Sequence, residues 1–191
     1  MIAINLMLVI MFINSVILLS GVKMMFNDRY LQIPSSIIPI YLVISSLIEG
    51  YKLGEIGISM IIITSAIFLL ILIWGYRRNK YIYSIHNVKQ EDVINIIEKY
   101  LERQNIKYEI NDDEIYLSDT DKSIFVSGFM AVSLDCREIK NLKIYMELVE
   151  EVRVGVKKIK QRYFPWEGVY NLIFVGFFYW IKVSFLDHFL K

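Results

Sequence analysis

One cysteine, three prolines and two histidines are all that this 191-residue chain holds of those residue types, and each scarcity closes off a class of answer. A lone Cys136 cannot form an internal disulfide, and its isolation is compatible with a reducing compartment. No glycine-rich phosphate loop, GxSxG elbow, HExxH helix or paired-cysteine metal motif occurs, so no catalytic signature stands out and no cofactor is called for. Neither charge sign is in excess: 21 Lys and Arg against 20 Asp and Glu leave a formal charge of +1. Nothing therefore pulls the whole chain toward nucleic acid, and any attraction must come from local patches.

Apolar residues, by contrast, make up 55% of the chain, above the roughly 45–50% of ordinary soluble domains, and they fall in blocks. Met1 to about Val22 is long enough to cross a hydrocarbon layer of about 30 Å. It starts apolar, runs long and ends in Gly21-Val22-Lys23, which predicts a retained helix rather than a cleaved signal. Ile33 to Ile48 is a second block, with Pro34 suited to a first turn, Pro39 expected to kink it, and Ser35, Ser36, Ser45 and Ser46 small enough for close packing. After a turn at Glu49 to Glu55 comes a third block, Ile56 to about Tyr76. A fourth candidate follows Pro165, beginning at Trp166 and running to Lys182, with Glu167 and Asn171 loading its start. The tail beyond it sets Ser184, Asp187, His188 and Lys191 opposite Phe185, Leu186, Phe189 and Leu190, an interfacial pattern.

The fold class expected is therefore an α-helical transmembrane protein, three helices at about 1–22, 33–48 and 56–76 plus a fourth candidate in 164–191, with a small cytoplasmic α+β domain inserted at 77–163. Cations set the orientation. Arg77, Arg78 and Lys80 follow the third block and Lys157, Lys158, Lys160 and Arg162 precede the fourth, whereas the opposite side holds Lys52 among Glu49 and Glu55. The positive-inside bias then puts the inserted domain in the cytoplasm and the N-terminus outside, in the cell membrane. Trp74, Tyr76, Tyr163 and Trp166 fall at the same inner interface, where amphipathic rings prefer to lie. These residues are the expected interface anchors, with the lipid bilayer as partner.

Within 77–163 the patterns change. Tyr81, Tyr83 and Ile85 alternate as a strand; Asn87 is placed to cap a helix with Val93, Ile94, Ile97, Tyr100 and Leu101 on one face. Ile106 to Leu117 reads as a hairpin turning at Asn111-Asp112-Asp113. After Ser118 to Asp121, the run from Lys122 to about Asp135 is one strand or two broken at Gly128. From Glu138, Leu142, Tyr145, Met146, Val149, Val152, Val156 and Ile159 return to helical spacing, and Pro165 stops the helix. Strand, helix, antiparallel strands and long helix make an α+β domain.

Four constellations carry chemistry. Glu109, Asp112, Asp113, Glu114, Asp119 and Asp121 sit at adjacent turns but lack calcium-loop spacing, so turn formation explains them better than metal binding. His86 and Cys136 flank strands, and a buried thiol with a strand-end imidazole explains them better than a reactive dyad. Lys182 is the one candidate intramembrane functional residue, although its position near the end of a block lets it snorkel to water. The cations at 157–162 lack a stacking platform for nucleic acid, which leaves lipid contact. The function expected is a non-enzymatic integral membrane protein whose cytoplasmic domain is a protein-interaction, regulatory or accessory module, with a membrane or cytoplasmic protein or a second copy as partner and no nucleic acid. The alternative is a subunit of a membrane transporter or channel, with Lys182 near a solute path.

Overall fold

A computed structural model describes residues 2–128 and 130–186, which fall into two units, Met1–Met25 with Tyr83–Lys191 and Phe26–Ile82. The first unit owes its core to period-two alternation. In β2 (Ile82–His86) Tyr83 and Ile85 are buried, in β4 (Glu114–Leu117) Ile115 and Leu117, in β5 (Lys122–Gly128) Ile124 and Val126, and in β6 (Val132–Asp135) Val132 and Leu134. Alternate residues point to one face of a strand, so these side chains line up across the sheet. The register does this directly, opposing Ile115 to Ile124 and Val126 to Leu134. With β1 (Met24–Asn27) and β3 (Tyr108–Asn111), the strands form a six-stranded sheet in the order β1-β2-β6-β5-β4-β3, in which β3 to β6 run as an antiparallel meander.

Two helices supply the other half of that core. In α4 (Gln90–Arg103) the buried face is Val93, Ile97, Tyr100 and Leu101, and in α5 (Ile144–Lys158) it is Tyr145, Leu148, Val149, Val152 and Val156. They pack on each other, and α4 also rests on β5. A Cβ on Gly155 would lie 2.9 Å from Ile96 Cδ1, so the glycine is what lets the helices approach. Each fully buried Leu or Ile contributes roughly 1.5–3 kcal/mol relative to exposure, and that is what holds a small sheet closed.

The chain between these elements departs from expectation in informative ways. Asn87 does not cap α4. It adopts φ +60 and its side-chain amide donates to the carbonyls of Leu18 at 3.1 Å and Val22 at 2.9 Å. The cap position falls to Lys89, whose N–H donates to Asp92 Oδ2 at 3.2 Å. At the other end Asn105 takes φ +54 while Asn105 N–H donates to Glu102 O and Ile106 N–H to Leu101 O, each at 3.0 Å; this is the paired closure usually built on glycine. The run from Lys122 resolves into two strands joined beyond Gly128. The second long helix starts at Ile144 rather than Glu138, because the Glu138 carboxylate accepts from Ser123 N–H at 2.9 Å instead of entering a helical turn. Met146, expected inside, is 71% exposed, and Leu148 takes the inner position.

Also in the first unit, α1 (Ile2–Leu19) packs along α6 (Trp166–Ile181). The contact is close: a Cβ on Gly168 would meet Leu19 N at 2.8 Å. In the second unit, α2 (Asp28–Lys52) packs against α3 (Ile58–Arg78). Gly54 at φ +74 turns the chain between them, and α2 runs as one helix through Pro34 and Pro39.

Three crossings with a fourth candidate are not shown. Among the described residues one helical stretch, Ile58–Tyr81, is long and apolar enough to cross a membrane, and the shorter apolar helix is Leu8–Leu19. The blocks differ in build. In α1, Leu8, Ser15 and Leu18 are buried, so part of its surface serves protein packing. The apolar run at 33–48 belongs to the longer helix α2, and several of its side chains lie outside those described. The 16 residues of α6 rise about 24 Å, short of a hydrocarbon core of about 30 Å, and the helix passes into a π-turn at Lys182–Leu186. The amphipathic tail expected from 183 to 191 lies mostly outside the described residues.

Candidate functional site

A concavity lies at one end of the sheet, where three segments distant in sequence meet: the start of α4, the β3–β4 turn and the β5–β6 turn. Its volume is about 590 Å³, and Val88, Ile94, Met130, Ala131 and Val132 supply apolar lining while Glu91, Asp112 and Asp113 supply carboxylates against the single cation Lys89. The volume falls within the few hundred to a thousand Å³ typical of binding clefts. Gln90 braces the site by donating from Nε2 to Asp113 Oδ1 at 2.6 Å, which ties the helix start to the hairpin. Asp112 sits at φ +49, a conformation that Asp tolerates, so the turn residue is also a rim residue. Gly128 borders the brace, and a Cβ there would be in ordinary contact with Gln90 at 3.6 Å and tighter against Val132 Cγ2 at 3.3 Å.

The turn carboxylates do not converge. Asp113 is engaged by Gln90 and Asp121 accepts from the Tyr116 hydroxyl. Among the described residues no group of three or more His, Cys, Asp or Glu is arranged to hold a metal ion. His86 finds a carboxylate: its Nδ1 lies 2.7 Å from Glu167 Oε2, with both side chains largely buried. Glu167, which loads the start of the fourth apolar block, is thus accounted for by a contact to the end of β2. Cys136 is fully buried, and burial, with Asp135 adding to it, pushes its thiol well up, so the nucleophilic thiolate is disfavoured.

The expected interface residues occupy three places. In the second unit, Arg78 lies 5.1 Å above the exposed Trp74 ring and Arg29, from the start of α2, lies 5.5 Å above Tyr76. Asn27 donates to Lys80 O at 2.6 Å and the Lys80 amine lies 5.2 Å from the Tyr81 ring, so Arg78 and Lys80 stand beside aromatic rings at one end of the helix pair, with Arg77 in the same helical turn. In the first unit, Lys157 and Lys158 end α5, and Lys160 and Arg162 follow on an irregular segment; all four are exposed, as is Trp166. Lys182 caps α6 at the opposite end from Trp166, half-buried, its amine 6.0 Å from the Tyr179 ring.

Sequence reasoning identified Asp112 and Asp113 as turn residues but not as a groove rim, because no periodicity links 88–91, 112–113 and 128–132. The one local signal was the glycine at 128 inside a strand pattern, which marks a bulge or a close approach. No protein-family model, curated protein or solved structure matches the chain.

Proposed function

We propose that this chain is a non-enzymatic membrane protein whose α+β domain works at the cytoplasmic face as a docking or accessory module for another protein. The observation that carries the reading is the braced groove at the end of the sheet. Its lining is apolar, its rim has three carboxylates to one cation, and a complementary occupant is a protein segment presenting a basic residue beside an aliphatic or aromatic one. Burial of Cys136 supports a binding rather than a catalytic use of the domain. Membrane residence is supported by α3, whose most apolar window is entirely unburied. Such a surface has no favourable environment in water, whereas lipid supplies one.

A photoreactive amino acid placed at Met130 in the groove, and in a second variant at Met146 on the exposed side of α5, tests the docking site in intact cells. One discrete crosslinked protein from position 130 is expected, absent from position 146 and lost when Ala131→Trp fills the groove. Identical patterns at both positions, or a band indifferent to Ala131→Trp, would sink the groove as a docking site.

A further inference from the structure

From Val154 to Trp166 the chain contains no carboxylate and four cations, Lys157, Lys158, Lys160 and Arg162. All four are exposed, and none makes an ion pair among the described residues. The contrast with nearby arginines is direct: Arg153 is paired with Glu150 at 2.9 Å and Arg103 with Glu151 at 3.0 Å. Uncompensated like charges within a few residues repel one another, and only Lys157 and Lys158, in the last turn of α5, have the helix dipole to offset this.

Exposed rings follow immediately. Phe164 and Trp166 are 62% and 59% exposed, with centroids 4.6 Å apart, and Tyr170 continues the series 6.2 Å from Trp166. The segment has neither helix nor strand from Ile159 to Pro165, yet it is tied down. Lys23 Nζ donates to Gln161 O at 2.7 Å and to Ile159 O. Asp92 beside the Tyr163 hydroxyl pushes its pKa up to about 12, and Lys89 lies 5.3 Å over the ring. The cations and rings therefore stand on a fixed path that leads into exposed Ile173, Phe174 and Phe177 of α6.

We infer that 157–166 is a preformed binding surface for anionic lipid headgroups, with Lys157, Lys158, Lys160 and Arg162 meeting phosphate and Phe164 and Trp166 entering the boundary with the acyl chains. The inference rests on the reading that the chain resides in a membrane, and it adds a requirement for lipid charge. RNA is the competing polyanion, but it offers nothing to cover the apolar face of α6 that continues the platform, whereas a bilayer covers both. Near an anionic surface each basic residue is worth about 1 kcal/mol, which converts to roughly fivefold in local occupancy per charge and less at high salt.

The chain has three tryptophans, so Trp74→Phe with Trp180→Phe leaves Trp166 as the sole reporter. The full chain carrying these changes is reconstituted into vesicles of phosphatidylcholine alone or mixed equally with phosphatidylglycerol, with acyl-brominated lipid as quencher. Trp166 should be quenched more in the anionic vesicles. Lys157→Gln, Lys158→Gln, Lys160→Gln and Arg162→Gln together should return quenching to the neutral-lipid level, while Lys157→Arg, Lys158→Arg and Lys160→Arg should retain it. Circular dichroism on the same samples confirms that the variants fold. Equal quenching in both lipids, with the protein floating alongside both vesicle types, would overturn the headgroup inference alone; failure to float with either would overturn the membrane reading beneath it. Loss of Trp166 quenching on adding polyuridylate would assign the surface to nucleic acid and overturn the inference.

Discussion

Tyr100 is buried on the inner face of α4, yet its hydroxyl reaches Glu147 of α5 and donates to Oε2 at 3.1 Å. Burial first, and then that bond to a carboxylate, push its pKa from 10.0 up to about 12. Both causes disfavour the phenolate, so the neutral form stabilises the fold. The contribution is complete below pH 10, where the unfolded tyrosine is still protonated, and it is lost as pH rises from 10 toward about 12. Its size is on the order of 3 kcal/mol at most. Denaturant unfolding of the full chain in mild detergent, compared with Tyr100→Phe, should show the stability difference between the two shrinking across that interval. A difference independent of pH would mean that Glu147 and burial do not govern the hydroxyl. Residue identity made Tyr100 legible as a core position through its spacing with Val93 and Ile97, but its partner was not legible, because Glu147 lies on a different helix. Asn87 teaches the complementary lesson: a good capping residue by type, it is drawn off by two backbone carbonyls at the end of α1. Local propensity lost there to a tertiary hydrogen-bonding demand that no window of sequence contains.

At the scale of elements, two glycines on one helix separate a packed face from an open one. A Cβ at Gly168 would meet Leu19 N at 2.8 Å and Leu18 C at 3.1 Å, whereas one at Gly176 would meet nothing within 4 Å. The obstruction at Gly168 is backbone, which cannot rotate away, so Gly168→Ala should push α1 and α6 apart at a cost of about 1–3 kcal/mol. Gly176→Ala should be neutral or slightly stabilising, since alanine is the better helix former by roughly 1 kcal/mol. Thermal unfolding in detergent compares them; equal effects would show that α1 and α6 do not pack through Gly168. This contact also explains where element-level reading of the apolar blocks went astray. Continuous apolarity announces a helix out of contact with water, but it does not distinguish a lipid-facing surface from one shared with another helix, and α1 buries Leu8, Ser15 and Leu18. The α+β region was more legible, because alternation at 83–85 and 115–117 has one physical cause: one face of a sheet is buried. Strand order was not legible, since β6 lies between β2 and β5 and nothing local to either strand encodes its neighbour.

For the molecule as a whole, the proposed membrane residence carries a prediction of sidedness, which follows from the charge distribution around α3. Arg77 and Arg78 close the last turn of that helix beside Trp74 and Tyr76, and Lys80 follows. The segment before its first turn holds Glu49, Lys52 and Glu55. Retaining cations on the cytoplasmic side is favoured by the membrane potential, at about 2.3 kcal/mol per charge per 100 mV, and by anionic cytoplasmic lipid. If α3 enters the bilayer, its Arg77 end should therefore face the cytoplasm and Lys52 should face out. The native thiol does not interfere with a test, because Cys136 is fully buried. Lys52→Cys and, on the exposed turn between β4 and β5, Asp119→Cys place single reactive thiols at the two expected sides. An impermeant maleimide added to intact cells should label the first and spare the second, and permeabilisation should make both reactive. Labelling of Asp119→Cys alone in intact cells would reverse the orientation and move the groove and the 157–166 cations outside. Labelling of both in intact cells would place the two positions on one side and remove α3 as a crossing, because a single span between them must separate residue 52 from residue 119.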